Sequence, residues 1–543
     1  MIKEVAFFSN RYNIYFMEQF LRLTLRIAKV IFALSLLYFA LRLASYHYHL
    51  VIFPYSNTLR EGAMMTSTDA LVKGLNPYDM SLQPRLMNQY GIIYPLLVWP
   101  LAKLFGTTIL IHRIVIAFFI LASCLLIFLV LKKMNVPFLL NIWAVLMLYS
   151  SLLFPGTSTP TIDPGAVGTF FFLLTIFIPW FFKYSNKSLI LSLLFGIFAF
   201  YSKMYTFLGT LVIASYLFLF ISKKKAIFYG FLLLIIFIIT IGLINHIFSA
   251  YFDNCFFAAI NMGPSWSSME RLHEQIVLYS GLHKWAFILM GIFFIGYTIK
   301  AVRDHYGNRI KKNITEIFFS FRLNQLKEPL IKLNFPLIVY AGLCSSFVLY
   351  MSLGRHSGAM LWYFFQLLSP FFLIGAAWIF SRYAYWPLLC IPFLIFNLYI
   401  MTTDHDYKYF NKNLPGWSEV SKIISTHHYI LNSPLIAPLL IEQHREVFDN
   451  GQAEYFLPGG ERHYWIKNLF KADDRVSIQM TLFFYNIRSM VQKKEFDLII
   501  LQPSLLPMGV ADEIKKYYKF EGQFMLYAPQ DRRSYPLTIW VPL

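Results

Sequence analysis

A chain of 543 residues that is 57% hydrophobic, 19% aromatic and only 14% charged, with a mean hydropathy of +0.54, has more apolar surface than a soluble core can hide, and reads as an integral membrane protein. Disorder is excluded because it needs low hydrophobicity, and four cysteines in this length exclude a disulfide scaffold. The net charge of +19 does not point to nucleic acid: residues 402–543 hold 16 basic and 16 acidic side chains, whereas the first 401 hold 31 and 12, and a basic excess confined to the apolar part is a signal of membrane orientation.

In chain order, Lys3, Arg11, Arg22, Arg26 and Lys29 precede a first apolar run over Val30–Phe53 that has no small-residue cleavage site, so no cleavable signal peptide is expected. A polar stretch, Pro54–Gln89, follows. Gly91–Gly106 is apolar but interrupted by Pro95 and Pro100, and it falls short of the roughly 20 residues of a spanning helix. It is expected to lie in the interface or dip into it, which makes 54–107 one outer loop with juxtamembrane helices. Further spans are expected at 108–131, 136–154, 165–182, 188–201, 205–222, 226–249, 285–299, 336–353, 361–381 and 385–401, about eleven in all, with 188–222 tight for two crossings.

Charge tests this threading. With the N-terminus in the cytoplasm, the inner segments hold 21 basic residues and the outer loops before the tail hold eight, as the positive-inside rule requires. A full crossing by Gly91–Gly106 would move Lys132–Lys133 and Lys223–Lys225 outside. The expected location is therefore a bacterial cytoplasmic membrane, multi-pass, with the N-terminus cytoplasmic and the tail extracytoplasmic.

The tail, 402–543, reads as a small α/β domain beside the membrane domain 1–401. Trp417–His428 and Phe483–Lys494 have helical spacing; Leu435–Leu440, Glu446–Asp449, Phe496–Leu501 and Thr538–Val541 read as short strands. Gly451–Gln452 reads as an exposed turn. With no G-x-G-x-x-G and no P-loop, no nucleotide site is inferred. Asp404-His405-Asp406 is only a weak match to a metal-binding triplet and reads as a solvated linker.

Ionisable groups at or within the membrane are functional candidates. Glu61, Asp69 and Asp79 lie in the first outer loop, Asp163 in Pro160-Thr-Ile-Asp-Pro164, Lys203 in a short hairpin, and Arg355-His356 in a later loop, all at one membrane face. Each has a plainer reading. Glu61 can be a first-turn acid favoured by the helix dipole, Asp69 a surface residue, Asp163 a cap for the next span, Lys203 a snorkelling cation and Arg355-His356 an interfacial anchor. Arg113, one turn into a span, needs a partner.

The ordered set Glu61-Gly62, Gly74-Leu-Asn-Pro77-Tyr78, Tyr90-Gly91-Ile-Ile-Tyr94-Pro95, Leu104-Phe105-Gly106, Arg113, Asp163, Lys203 and Gly354-Arg355-His356-Ser-Gly358-Ala359 with Tyr363 resembles the GT-C superfamily of glycosyltransferases, in particular protein O-mannosyltransferases and lipid A aminoarabinose transferases. The tail's Val447-Phe-Asp-Asn-Gly451 and Phe496-Asp497-Leu-Ile-Ile500 resemble the extracytoplasmic domain of bacterial members. Arg60 stands where some relatives have an Asp, Ile92-Ile93 replace the usual Pro-Leu, and Trp362 replaces an Asn before the Tyr.

The resemblance implies a polytopic α-helical membrane fold with a C-terminal α/β domain. It implies transfer of a sugar from a polyprenyl-phosphate-linked donor to a lipid, glycan or protein acceptor hydroxyl, with inversion, among membrane lipids and without nucleic acid. It implies Glu61 as general base, Asp163 as acceptor-binding or orienting acid, and Asp69, Tyr90, Tyr94, Arg113, Lys203, Arg355, His356 and Tyr363 as substrate-binding residues, the cations on the donor phosphate. A divalent metal is compatible with this scheme, and no metal ligands are assigned. Two other readings remain: a transporter or flippase of lipid-linked saccharides, which would show internal symmetry and midplane charges, and an inactive envelope-assembly relative.

Overall fold

The computed structural model describes residues 2–82, 85–86, 88–154, 159–257, 335–351, 361–382, 414–452, 475–502 and 510–543, with single positions within 270–277 and 386–399. The first helix, α1, runs Ile2–Ile52. Phe32, Leu36, Phe39, Leu43, Tyr46 and Leu50 form a buried stripe at alternating spacings of four and three, while Leu34, Leu37 and Leu41 face outward. The outer loop then supplies α2, Glu61–Val72, and α3, Ile93–Phe105. At 13 residues, α3 is about 20 Å long and cannot cross a hydrocarbon core of about 30 Å. It ends on Gly106, and α4 starts at Ile109, capped by Thr108. The short apolar run therefore stays at one end of the bundle.

The bundle continues with α4 (Ile109–Lys133), α5 (Phe138–Leu152), α6 (Gly165–Phe181), α7 (Asn186–Ser202), α8 (Leu208–Tyr216, extended by a 3-10 turn before it and a π turn after it), α9 (Lys223–Ile247), α10 (Phe335–Met351), α11 (Leu361–Leu367) and α12 (Ser369–Phe380). Among the described residues four segments are long and apolar enough to cross a membrane: Gln19–Ile52, Ile109–Lys133, Met204–Ile221 and Lys223–Ile247. Among the described residues of α9 only Ala226 and Tyr229 are buried, and its exposed Phe231, Ile238 and Ile239 need an apolar surround. The expected span 361–381 is divided at Leu368, ahead of Pro370. The expected span 285–299 lies outside the described residues, and only single positions of 385–401 fall within them.

Two lysine contacts gather the basic hairpins at one end. Lys133 Nζ donates to the Phe181 carbonyl at 2.6 Å and lies 4.7 Å from the Trp180 ring, and Lys225 Nζ donates to the Tyr184 carbonyl at 2.6 Å. Arg113, Asp163 and Lys203 lie toward the opposite ends of α4, α6 and α7.

The tail contains α13 (Leu414–Thr426), β1 (Ile430–Leu431), α14 (Ala437–Glu442), α15 (Arg475–Gln492), β2 (Leu498–Leu501), α16 (Val510–Tyr517), β3 (Tyr518–Ala528) and β4 (Arg533–Pro542). The sheet order is β1-β2-β4-β3, with β1 parallel to β2 and the rest antiparallel, and a bulge falls between Phe520 and Gly522. One sheet face packs under α15 and α16 through Ile487, Val491, Ile499 and Ile514. The other, with Leu498, Ile500 and Leu537, joins the core of the bundle, where Trp417 stacks on Tyr55 at 4.9 Å.

Two expected strands are not strands. Leu435–Leu440 forms a 3-10 turn and α14, because Pro434 and Pro438 cannot donate to a ladder but fit a first helical turn. Glu446–Asp449 pairs with a side chain instead of a strand. Asn432 Oδ1 accepts from the amides of Phe448 and Asp449, and its Nδ2 donates to the Asp449 carbonyl at 2.7 Å. Gln452, expected at an exposed turn, is fully buried.

Candidate functional site

Glu61 is the first residue of α2 and is fully buried. Its carboxylate accepts from Arg113 twice, from Nε at 3.3 Å and from Nη2 at 2.8 Å. It accepts also from the amide of Asn57 at 2.8 Å and from that of Ile162 at 3.2 Å. Arg113, 1% exposed, meets the need for a partner seen in the sequence, and it donates further to the carbonyls of Phe53 and Tyr55. One ion pair thus ties the end of α1, the start of α2, the first turn of α4 and the loop that carries Asp163. The bidentate guanidinium geometry gives this joint its direction.

The second pair is Asp163 with Lys203, Nζ to Oδ1 at 2.7 Å, both buried. Asp163 Oδ1 also accepts from the Gly165 amide at 2.7 Å, so the expected capping role at α6 coexists with the ion pair. Lys203 leaves the end of α7 in extended conformation. Its ammonium sits 5.2 Å from the Tyr90 ring, 5.6 Å from Tyr205 and 5.7 Å from Tyr363, an aromatic cage that favours a cation over its faces. Tyr205 donates to Gln366 Oε1, and Gln366 Nε2 donates to Thr159 Oγ1 at 3.0 Å. Burial and the charge of Asp163 raise the Tyr90 hydroxyl above its ordinary range while Arg60, which bonds it, opposes them. The phenol therefore stays protonated and remains a donor at neutral pH.

Tyr90 is placed by the motif residues around it. Asn76 Oδ1 accepts from the Tyr78 amide at 2.9 Å, closing a local turn, and the Tyr78 hydroxyl donates to the Tyr90 carbonyl at 2.9 Å. Gly91 follows because a Cβ there would lie 1.8 Å from the Tyr201 carbonyl oxygen, against the end of α7. Gly91→Ala is expected to push Tyr90 off Lys203 and to lower thermal stability by about 1–3 kcal/mol, which thermal unfolding checks.

Of the residues singled out in the sequence, Glu61, Arg113, Asp163, Lys203, Tyr90 and Tyr363 come together. Tyr94 stands beside them with its hydroxyl 2.9 Å from His112 Nδ1. Asp69 does not join the site: it pairs with Lys73 at 2.6 Å on another face of α2. Arg355 and His356 lie outside the described residues, as does Asp404–Asp406. The structure adds Arg60, Tyr205, Gln366 and Thr159. Gln366, an uncharged polar residue in an apolar run, carried a usable signal; Tyr205 was indistinguishable from an aromatic belt residue. Among the described residues no group of three or more His, Cys, Asp or Glu gathers to hold a metal ion. Each acid of the site faces a cation.

The arrangement can hold an anion at Lys203 and present a carboxylate to a hydroxyl, at one end of an apolar bundle. The fold that carries it is that of a polytopic α-helical membrane protein with a small C-terminal α/β domain. Among solved structures, the crystal structure of ArnT from Cupriavidus metallidurans bound to undecaprenyl phosphate is similar, with a TM-score of 0.51 at 8% identity, covering 92% of this chain and 97% of that one. No family model matches the sequence, and no curated protein matches it.

Proposed function

We propose that this protein is a membrane glycosyltransferase that moves a sugar from a polyprenyl-phosphate donor to an acceptor hydroxyl at the outer face of the membrane. The observation that carries this reading is the convergence of two buried acid–cation pairs, Glu61–Arg113 and Asp163–Lys203, from separate segments at one end of an apolar bundle. Charges gathered at one end, away from the midplane, favour transfer over transport. The likeness of fold to a protein solved with undecaprenyl phosphate supports a lipid-linked donor.

In this reading the acceptor oxygen attacks the anomeric carbon, the bond from that carbon to the phosphate oxygen breaks with its electron pair staying on phosphate, and the hydroxyl proton passes to a carboxylate. A single displacement inverts the anomeric centre. Lys203, with Arg355 and His356, neutralises the departing phosphate where water is excluded. Tyr90 and Tyr363 line the same space. Glu61 is the proposed base. Both of its oxygens are engaged by donors, so one of them turns aside when substrate binds. A second reading exchanges the acids: among the described residues Asp163 bonds through Oδ1, and Oδ2 is the oxygen that would take the proton.

Orientation is tested with a thiol. Glu521 is exposed at the bulge of β3, whereas Cys124, Cys255 and Cys390 are buried and Cys344 is half-buried. A membrane-impermeant thiol reagent should label Glu521→Cys in cells whose outer barrier is opened. Labelling that appears only after lysis would reverse the orientation and move the site to the cytoplasmic face. The reaction itself is tested by mass spectrometry of lipid-linked sugars and envelope glycans in a deletion strain: loss of one sugar from the glycans with accumulation of its lipid-linked form is expected, and unchanged pools would overturn transfer.

A further inference from the structure

The tail reaches the site through the turn between β3 and β4. Gln530 in this turn is fully buried and touches three segments. Its amide donates to the Asn57 carbonyl at 3.1 Å. Its Nε2 donates to the Phe154 carbonyl at 2.8 Å, and its Oε1 accepts from the Tyr46 hydroxyl at 3.2 Å. Asn57 is the residue whose own amide holds Glu61, and Phe154 opens the loop that leads to Asp163. Next to it, Asp531 Oδ2 accepts from the Leu59 amide at 3.2 Å and from the Tyr535 hydroxyl at 2.8 Å.

Three further contacts press on the same stretch. Ser56 donates to the Leu435 carbonyl at 2.6 Å. Gly62 lies so close to α14 that a Cβ on it would come within 2.7 Å of Ala437 Cβ. Glu442, at the end of α14, accepts from the Ile109 amide at 2.7 Å, one turn before Arg113. The tail therefore braces both members of the Glu61–Arg113 pair and the approach to Asp163 while contributing neither.

From this geometry we infer that Gln530 and Asp531 are positioning residues, and that the β3–β4 turn of the tail fixes the relative placement of the two acid-bearing segments. The reasoning rests on the transferase reading for the meaning of that placement. Proton transfer and displacement are sensitive to it, since a shift of about 1 Å in a reacting group can cost about 10²-fold in rate. Gln530 is suited to the task because its side chain carries both a donor and an acceptor group, Nε2 and Oε1, here spent on different segments. Burial lifts the Asp531 carboxyl to about 6, with Glu61 adding and Tyr535, Leu59 and Arg60 opposing. An amide at this position, accepting the same two bonds without a charge, is accordingly an apt stand-in.

The experiment uses the full chain in lipid nanodiscs and reads backbone hydrogen exchange by mass spectrometry, which needs no substrate. Gln530→Met fills the same space but loses both side-chain bonds. It should speed exchange at least several-fold in peptides spanning 53–62 and 159–165, and leave the sheet of the tail unchanged. Asp531→Ala should speed exchange at 57–62, and Asp531→Asn should restore most of that protection. Tyr46→Phe removes one hydroxyl donor and should give a weaker form of the Gln530→Met pattern, which serves if Gln530→Met does not reach the membrane. Transfer by Gln530→Met, followed as product sugar in the complemented deletion strain, should fall about 10²-fold.

Unchanged exchange in both peptides, or faster exchange spread evenly over tail and bundle, overturns the positioning role. Faster exchange confined to the two peptides upholds it even where the wild-type chain shows no transfer, and in that case it is the transferase reading that fails.

Discussion

Glu61→Gln should lower transfer by about 10²–10⁴-fold if Glu61 accepts the proton, and it should also cost stability. The carboxylate faces a guanidinium and two amides, all donors. A glutamine amide turns a fifth donor toward them and leaves the Arg113 charge uncompensated in a buried site. Breaking a buried pair from one side costs about 3–5 kcal/mol. Loss of activity alone therefore does not separate chemistry from assembly, and the double variant Glu61→Gln/Arg113→Met does. It removes the unpaired charge and should regain much of the thermal stability. Regained stability with transfer still absent identifies Glu61 as the proton acceptor. Regained transfer makes the pair a strut and gives the base role to Asp163, whose Asp163→Asn variant must then be inactive. Asp69→Asn, which breaks only a partly exposed pair within α2, should change transfer little.

The second large effect is expected at Lys203. Lys203→Met removes the ammonium from its cage of Tyr90, Tyr205 and Tyr363 while keeping the length of the side chain. Donor use should weaken by about 2–5 kcal/mol, part of which comes from leaving Asp163 buried without its cation. Undecaprenyl phosphate is a suitable probe. Its addition should raise the melting temperature of the wild-type chain and leave that of Lys203→Met nearly unmoved, because only a ligand bound to the folded state stabilises it. Lys203→Arg should recover part of the shift, since a guanidinium holds phosphate in a different geometry. An equal shift in wild type and Lys203→Met would confine Lys203 to the service of Asp163.

Several features were legible without a structure because they follow from local chemistry. Apolar run length and the placement of lysines determined a bundle with basic hairpins at one end, and the short length of Gly91–Gly106 with its two prolines marked it as a short helix, which is what forms over Ile93–Phe105. Arg113 declared its need for a partner by standing within a span.

The tertiary structure decided what depends on residues far apart in sequence. That Arg113 binds Glu61 and Lys203 binds Asp163, and not the reverse, follows from where α4 begins and α7 ends around the outer loop. Asp69 stands apart from Glu61 and pairs with Lys73 one turn further on. Gln530 became meaningful only when packing brought its amide to Phe154 and Tyr46. A side-chain hydrogen bond over such a separation leaves no periodic trace in the sequence, because its partners are chosen by the closure of the whole fold and not by their neighbours along the chain.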